Sequence, residues 1–248
     1  MKKIIPCLDT KDGELVKGVH FVEVKALGDP VDFAKKYSDA GADELVILDI
    51  TKTSDGHKLR TQMITDVFNV IDIPLTVGGG IASIEDIQAA LDAGASKVGI
   101  NSAAVKNPDF INEAVAKFGS EAITIAVDMA YDDAKGDYFV YTNAGQNQMD
   151  WPALEWCMEC EKRGAGALLI TSIDTDGAYT GFDIPFLKLA SEAVAIPIIA
   201  SGGASSIADF IELFQQTNID AGLAASIFHK GEVAIEDLKA GLIAEGID

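Results

Sequence analysis

The chain has 248 residues, 19 Lys+Arg against 39 Asp+Glu, and a formal net charge of −20. That acidity excludes nucleic acid and anionic membrane as partners, since both need a basic footprint. A hydrophobic content of 48% with 23 glycines excludes a disordered chain and fits an α/β protein with many tight turns.

No apolar run approaches about 18 residues, so no transmembrane helix is expected. The opening MKKIIPCLDTKDG has too short an apolar stretch for a signal peptide, and Asp9 interrupts it. Cys7, Cys157 and Cys160 are an odd number and too few for a disulfide framework, so a reducing cytoplasm is expected.

In chain order, an apolar strand over residues 4–8 runs into Asp9 and a long polar βα loop, residues 11–29. Asp29-Pro30 reads as an N-cap and first-turn proline for a helix over 31–40, closed by Gly41. A strand over 44–49, a helix over 59–70 and a strand over 74–77 lead into Gly78-Gly79-Gly80. Ser83 opens a helix over 84–93, with Gly94 at its end. A strand over 97–101 and Asn107-Pro108 precede a helix over 108–118 that stops at Gly119. The strand over 123–128 ends in Asp128. Residues 130–150 follow, where the alternation of Asp137-Tyr138-Phe139-Val140-Tyr141 predicts a small β-hairpin. Asp150-Trp151-Pro152 reads as the start of a helix over 152–163, ended by Gly164. Strands over 167–172, 197–201 and 222–226 then alternate with helices over 184–193, 207–215 and 234–244.

These are eight βα units, and their near-continuously apolar strands suit a sheet buried on both faces. The segment IPLTVGGGIASIED, residues 73–86, returns 123 residues later as IPIIASGGASSIAD, residues 196–209. The same offset aligns residues 42–47 with 165–170. Two matched halves explain this period as a closed (β/α)8 TIM barrel with a two-fold half-barrel repeat, and residues 1–248 form one domain.

The matched glycine turns, each between a strand and a helix, present backbone N–H groups suited to phosphate. Asn101-Ser102 and Ala225-Ser226 end the next strands at equivalent places. Two facing phosphate sites imply a bisphosphorylated substrate with a span on the order of 20 Å. Asp9 and Asp128 end strands one and five, which lie opposite each other, and suit a general acid and base. Asp49, Thr171, Ser172, Asp174, Asp176 and Gly177 are candidates for hydroxyl recognition. Lys17 sits in the first long loop, where it is able to fold over an anion. Cys157 and Cys160 form a C-x-x-C with no second pair and no nearby His, so half-buried helix cysteines are expected in place of a metal site. His20, His57 and His229 lie far from that pair in sequence, and Trp151 and Trp156 read as packing residues.

Together Ile4-Ile5-Pro6-Cys7-Leu8-Asp9, Lys11-Asp12-Gly13, Val16-Lys17-Gly18-Val19, Leu48-Asp49-Ile50, Val77-Gly78-Gly79-Gly80-Ile81 and Ile100-Asn101-Ser102-Ala103-Ala104-Val105 carry a resemblance. So do Thr171-Ser172-Ile173-Asp174 with Asp176-Gly177, Ala200-Ser201-Gly202-Gly203 and Ala225-Ser226-Ile227-Phe228-His229. Nearly the whole chain resembles the cyclase subunit of imidazole glycerol phosphate synthase. The resemblance implies a lyase of histidine biosynthesis. It would join ammonia to a bisphosphorylated ribulosyl aminoimidazole carboxamide nucleotide, giving imidazole glycerol phosphate and an aminoimidazole carboxamide ribotide. It implies Asp9 and Asp128 as the acid/base pair and Lys17 as a substrate contact. Gly80, Asn101 and Ser102 match one phosphate site; Gly177, Gly203, Ala225 and Ser226 match the other, and Ser201 is a further candidate for substrate binding. No metal or organic cofactor is implied. A separate glutaminase subunit would dock on the N-terminal barrel face and send ammonia past the charged residues Lys3, Glu44 and Lys97.

The departures from the family pattern fall at that face. Ala167 stands where a fourth charged residue, Glu, is usual, Lys3 replaces Arg, and Ser96 replaces an Asp. In the fifth loop Gly145-Gln146-Asn147-Gln148 replaces a basic segment. Weaker or altered coupling to a glutaminase is therefore expected. The sister aminoaldose–aminoketose isomerase of the pathway and a non-catalytic paralog are the alternatives.

Overall fold

The computed structural model describes residues 2–19, 22–50 and 60–247, with the backbone alone for 17–19 and 22–25. His20, His57, Leu59 and the side chain of Lys17 lie outside the described residues.

Strand β1 (Lys3–Lys11) turns into antiparallel β2 (Glu14–Val19) and β3 (Val22–Gly28), and helix α1 (Pro30–Asp39) follows. Next come β4 (Leu45–Asp49), α2 (Thr61–Phe68), β5 (Leu75–Gly78), α3 (Ile84–Asp92) and β6 (Lys97–Ile100). A short α4 (Ser102–Lys106) precedes α5 (Asp109–Phe118). β7 (Ile123–Asp132) continues into antiparallel β8 (Asp137–Thr142) and β9 (Asn147–Pro152), then α6 (Ala153–Lys162). The chain ends with β10 (Ala167–Ser172), α7 (Ile184–Ala193), β11 (Ile198–Ser201), α8 (Ile207–Gln216), β12 (Ala221–Ala224), a short α9 (Ser226–His229) and α10 (Ile235–Ala244).

Eight strands pair in parallel in the order β1, β4, β5, β6, β7, β10, β11, β12, and β12 pairs again with β1. This closes the barrel. β1 and β7 occupy its first and fifth places and face each other.

Strand parity divides the core. Ile5, Cys7, Val46, Leu169, Ile199 and Leu223 form a small cluster with Leu48, Ala126 and Ala225 inside the barrel. Residues of the other parity, such as Ile4, Leu8, Ile47, Leu168 and Ile170, join the large layer under the helices. Such alternation is required when a strand is covered on both faces.

The repeat holds at atomic detail. Gly79 and Gly202 have φ +88° and +96°. A Cβ on Gly79 would lie 2.1 Å from the Asp49 carbonyl oxygen, and one on Gly202 2.7 Å from that of Ser172. Asp49 and Ser172 are themselves 123 residues apart. Each turn therefore lies on the end of the strand before it, and only glycine permits that approach.

Three expectations need correction. Residues 11–29 are not simply a loop: β2 and β3 form a ribbon there. The predicted hairpin at 130–150 is a three-stranded meander extending β7. Asp150 does not cap α6; it lies on β9, and Pro152 takes the N-cap place. Both ribbons rise from the strands bearing Asp9 and Asp128, so the repeat extends above the barrel. Asp29 does cap α1, accepting a hydrogen bond from Val31 N at 2.9 Å. Cys157 and Cys160 are fully buried rather than half-buried, because α6 turns them toward the strands.

Candidate active site

The expected acid/base and substrate-binding residues, apart from Lys17, fall on one rim of the barrel, at the C-terminal ends of the strands and in the loops after them. Parity sorts them further. Asp9 follows Ile5 and Cys7 on the inward face of β1, and Asp128 follows Ala126 on that of β7. Asn101, Thr171, Ser201 and Ala225 share this inward parity. Asp49 and Ser172 have the opposite parity and point into the helix layer.

The contacts agree with that division. Ser172 is buried and its hydroxyl donates to Asp183 Oδ2 at 3.0 Å. Asp183 also accepts from Tyr138 Oη at 3.2 Å and caps α7 through Phe186 N at 3.3 Å. Asp49 is buried beside Arg60, whose Nε lies 3.9 Å from Oδ2. The same guanidinium donates to Asp12 Oδ1 at 3.2 Å, tying the β1–β2 turn to the start of α2. The loop after β10 carries Asp174, Asp176 and Gly177, and Asp174 Oδ2 accepts from Tyr131 N at 2.8 Å. Arg60, Asp183 and Tyr138 were not among the expected residues. Their signal was weak, since each acts on a neighbour and follows no motif.

Asp9 and Asp128 share one electrostatic setting. Burial pushes each carboxyl up to about 7, and the nearby Asp176 carboxylate pushes in the same direction. Each also has one donor that favours its ionised form. Cys7 Sγ lies 3.8 Å from Asp9 Oδ1, and Asn101 Nδ2 donates to Asp128 Oδ2 at 2.8 Å. Two carboxyls that titrate near neutrality, on opposite strands, are fitted to give and take protons.

The helix starts around the rim differ in what they leave open. Ser83 and Asp86 form a capping box on α3, and Ser206 and Asp209 form its counterpart on α8. Asp86 accepts from Ala82 N and Ser83 N, and Asp209 from Ser205 N and Ser206 N, so carboxylates already occupy these amides. The short helices α4 and α9 have no side-chain cap. Ser102 Oγ accepts from Asn143 N at 3.2 Å, which ties α4 to the meander. Gly80, Gly177 and Gly203 all have positive φ, at +71°, +73° and +95°.

The opposite rim is lined by inward residues of the strand starts. Glu44 is buried, accepts from Thr76 Oγ1 at 2.7 Å and pairs with Lys97 Nζ at 2.8 Å; Lys3 Nζ lies at 4.0 Å. Ala167 begins β10 at the same level. Ser96 has a local role here: its hydroxyl accepts from Leu75 N at 3.3 Å. Asp43 accepts from Ile4 N, and Asp220 from Ile198 N, in the same way. Among the described residues no group of three or more His, Cys, Asp or Glu is placed to hold a metal ion, and no helix is long and apolar enough to cross a membrane.

Comparison with known proteins places this arrangement among relatives. Residues 3–234 match the family model described as histidine biosynthesis protein. The chain is 49% identical over 246 residues to imidazole glycerol phosphate synthase subunit HisF of Staphylococcus saprophyticus, covering 99% of this chain and 98% of that protein. It is 47% identical to the same subunit of Halalkalibacterium halodurans over 246 residues, with the same shares covered. It is also 47% identical to that of Geobacillus kaustophilus over 247 residues, covering 100% of this chain and 98% of the relative.

Proposed function

The chain belongs to the HisF family of imidazole glycerol phosphate synthase subunits in histidine biosynthesis, and on that premise we propose how its own residues carry out the cyclase reaction. Asp9 and Asp128 are the acid/base pair. One gives a proton to the carbonyl oxygen that ammonia displaces from the ribulosyl nucleotide. The other takes a proton from the attacking nitrogen as that nitrogen bonds to the amidine carbon and closes the imidazole ring; the C–N bond from this carbon to the aminoimidazole carboxamide ribotide breaks, and the leaving nitrogen takes up that proton. The observation that carries this reading is their placement: two inward carboxyls on facing strands, both held near neutrality by burial and by Asp176.

The substrate lies across the mouth with a phosphate at each half. Gly80, Asn101 and Ser102 take one; Gly177, Ser201, Gly203, Ala225 and Ser226 take the other. The absence of side-chain caps on α4 and α9, beside the self-capped α3 and α8, supports this choice of amides. Thr171 and Asp176 face the bound nucleotide between the two ends, and Lys17, whose backbone lies on β2, is its candidate cationic contact. Asp49, Ser172 and Asp174 hold the rim in shape through Arg60, Asp183 and Tyr131.

Family membership as a subunit makes the chain one part of a complex with a glutaminase subunit. The N-terminal rim is the docking face in this proposal, and ammonia enters past Lys3, Glu44 and Lys97. Ala167 leaves this ring with one carboxylate and two ammonium groups, which supports looser coupling to the partner. The test compares turnover with free ammonium at alkaline pH against turnover with glutamine and a glutaminase subunit. Ammonium-dependent formation of imidazole glycerol phosphate is expected, with a weaker glutamine-dependent rate. Absence of the ammonium reaction overturns the catalytic reading, and fully coupled glutamine turnover overturns the loose-coupling reading.

A further inference from the structure

The short helix α9 ends at His229, and His229 and the C-cap residue Lys230 each meet a tyrosine hydroxyl from a different element. Tyr37 of α1 and His229 meet at 2.6 Å, Oη to Nδ1, across 192 residues of sequence. Tyr37 is buried, and burial raises the pKa of its hydroxyl, which therefore keeps its proton. Phe33 stands edge-on to the His229 ring at 5.5 Å, and Phe228 packs on Tyr37 at 6.3 Å. The next residue, Lys230, donates to Tyr179 Oη at 3.0 Å, with its ammonium 4.8 Å from the centre of that ring.

Tyr179 belongs to the loop that carries Gly177, and it adopts φ +57°, a conformation costly for a residue with a large side chain. Surrounding contacts must hold it there. The same loop bonds to the second glycine turn through Gly181 N and Gly203 O at 2.9 Å. The three pieces assigned to one phosphate end are thus fastened together: loop to turn at Gly181–Gly203, loop to α9 at Tyr179–Lys230, and α9 to the outer helix at His229–Tyr37. At the equivalent place in the first half, Val105 is a buried apolar residue, and α4 runs almost directly into α5.

We propose that Tyr37 and Tyr179 are positioning residues that clamp the end of α9 and so set affinity for one of the substrate's two phosphates. They contribute nothing to the proton transfers at Asp9 and Asp128. The inference rests on the functional reading above, in which Ala225 and Ser226 meet a phosphate.

The two products separate the possibilities, because each keeps one phosphate. Inhibition constants of imidazole glycerol phosphate and of the aminoimidazole ribotide are measured for wild type, Tyr37→Phe, Tyr179→Phe, His229→Leu and His229→Asn, with kcat and KM for the nucleotide. Tyr37→Phe and Tyr179→Phe should each raise KM and weaken the same single product by about fivefold or more, with kcat within about twofold. His229→Leu should match Tyr37→Phe. His229→Asn places a carboxamide oxygen where Nδ1 stood and should restore affinity. Smaller shifts, equal weakening of both products, or an Asn variant as damaged as the Leu variant overturn the inference alone. A wild-type chain that binds neither product overturns the functional reading and this inference together.

Discussion

Asn101 donates its side-chain amide to Asp128 Oδ2 at 2.8 Å, so a residue proposed for one phosphate end also bonds a carboxyl of the proposed acid/base pair. That bond favours the ionised carboxylate, against the effect of burial. Asn101→Ala should therefore raise the apparent pKa associated with Asp128. Asp176→Asn should lower both apparent pKa values, because Asp176 opposes ionisation of Asp9 and of Asp128. The pH profile of kcat/KM measures both shifts. The values it yields belong to the coupled pair, so the comparison is between variants. Unmoved limbs in both variants would contradict this electrostatic description.

The same two carboxyls link stability to pH. Their native pKa values, about 7, lie above the value near 3.9 of an unfolded Asp. Between those limits the native state binds more protons than the unfolded state, so stability falls as pH rises and levels off above about 7. The double variant Asp9→Asn with Asp128→Asn removes this contribution. Calorimetry at about pH 5 and about pH 8 should show a smaller loss of Tm for the variant than for wild type.

The glycine turns provide a test of the barrel's close approaches. Gly79 and Gly41 both have positive φ, but a Cβ on Gly41 meets nothing within 4 Å, whereas one on Gly79 meets the Asp49 backbone. Gly41→Ala should cost about 1 kcal/mol, from its left-handed conformation alone. Gly79→Ala should cost at least about 2 kcal/mol more, because the turn must lift from β4. Urea unfolding of both variants compares the two directly.

The net charge of −20 predicts the salt response. In the proposed function local amides and a few cations hold the phosphates, while the global field repels the anionic substrate. Raising ionic strength from low to moderate should increase kcat/KM or leave it flat. A steep fall would require a basic steering surface.

Barrel closure was legible because each strand is a continuous apolar run and the 123-residue repeat marks two halves. Asp9 and Asp128 were legible because each ends such a run. The division of the rim was not. Thr171 and Ser172 are chemically alike neighbours, and only strand parity sends one inward and the other to Asp183. The β2–β3 ribbon was hidden because Glu14, Lys17, Glu23 and Lys25 interrupt its apolar residues, unlike the near-continuously apolar barrel strands. The helices α4 and α9 are too short to show a helical period. The bond between Tyr37 and His229 spans most of the chain, and no local pattern marks it.

The proposed paired role of Asp9 and Asp128 is tested most directly by kcat with free ammonium for wild type, Asp9→Asn and Asp128→Asn. Each substitution keeps the side-chain shape and removes the titrating proton. A loss of about 10²- to 10⁴-fold in kcat for each variant, with folding intact, is the predicted result. Turnover within about tenfold of wild type in either variant would contradict the assignment of that residue and, with it, the paired mechanism.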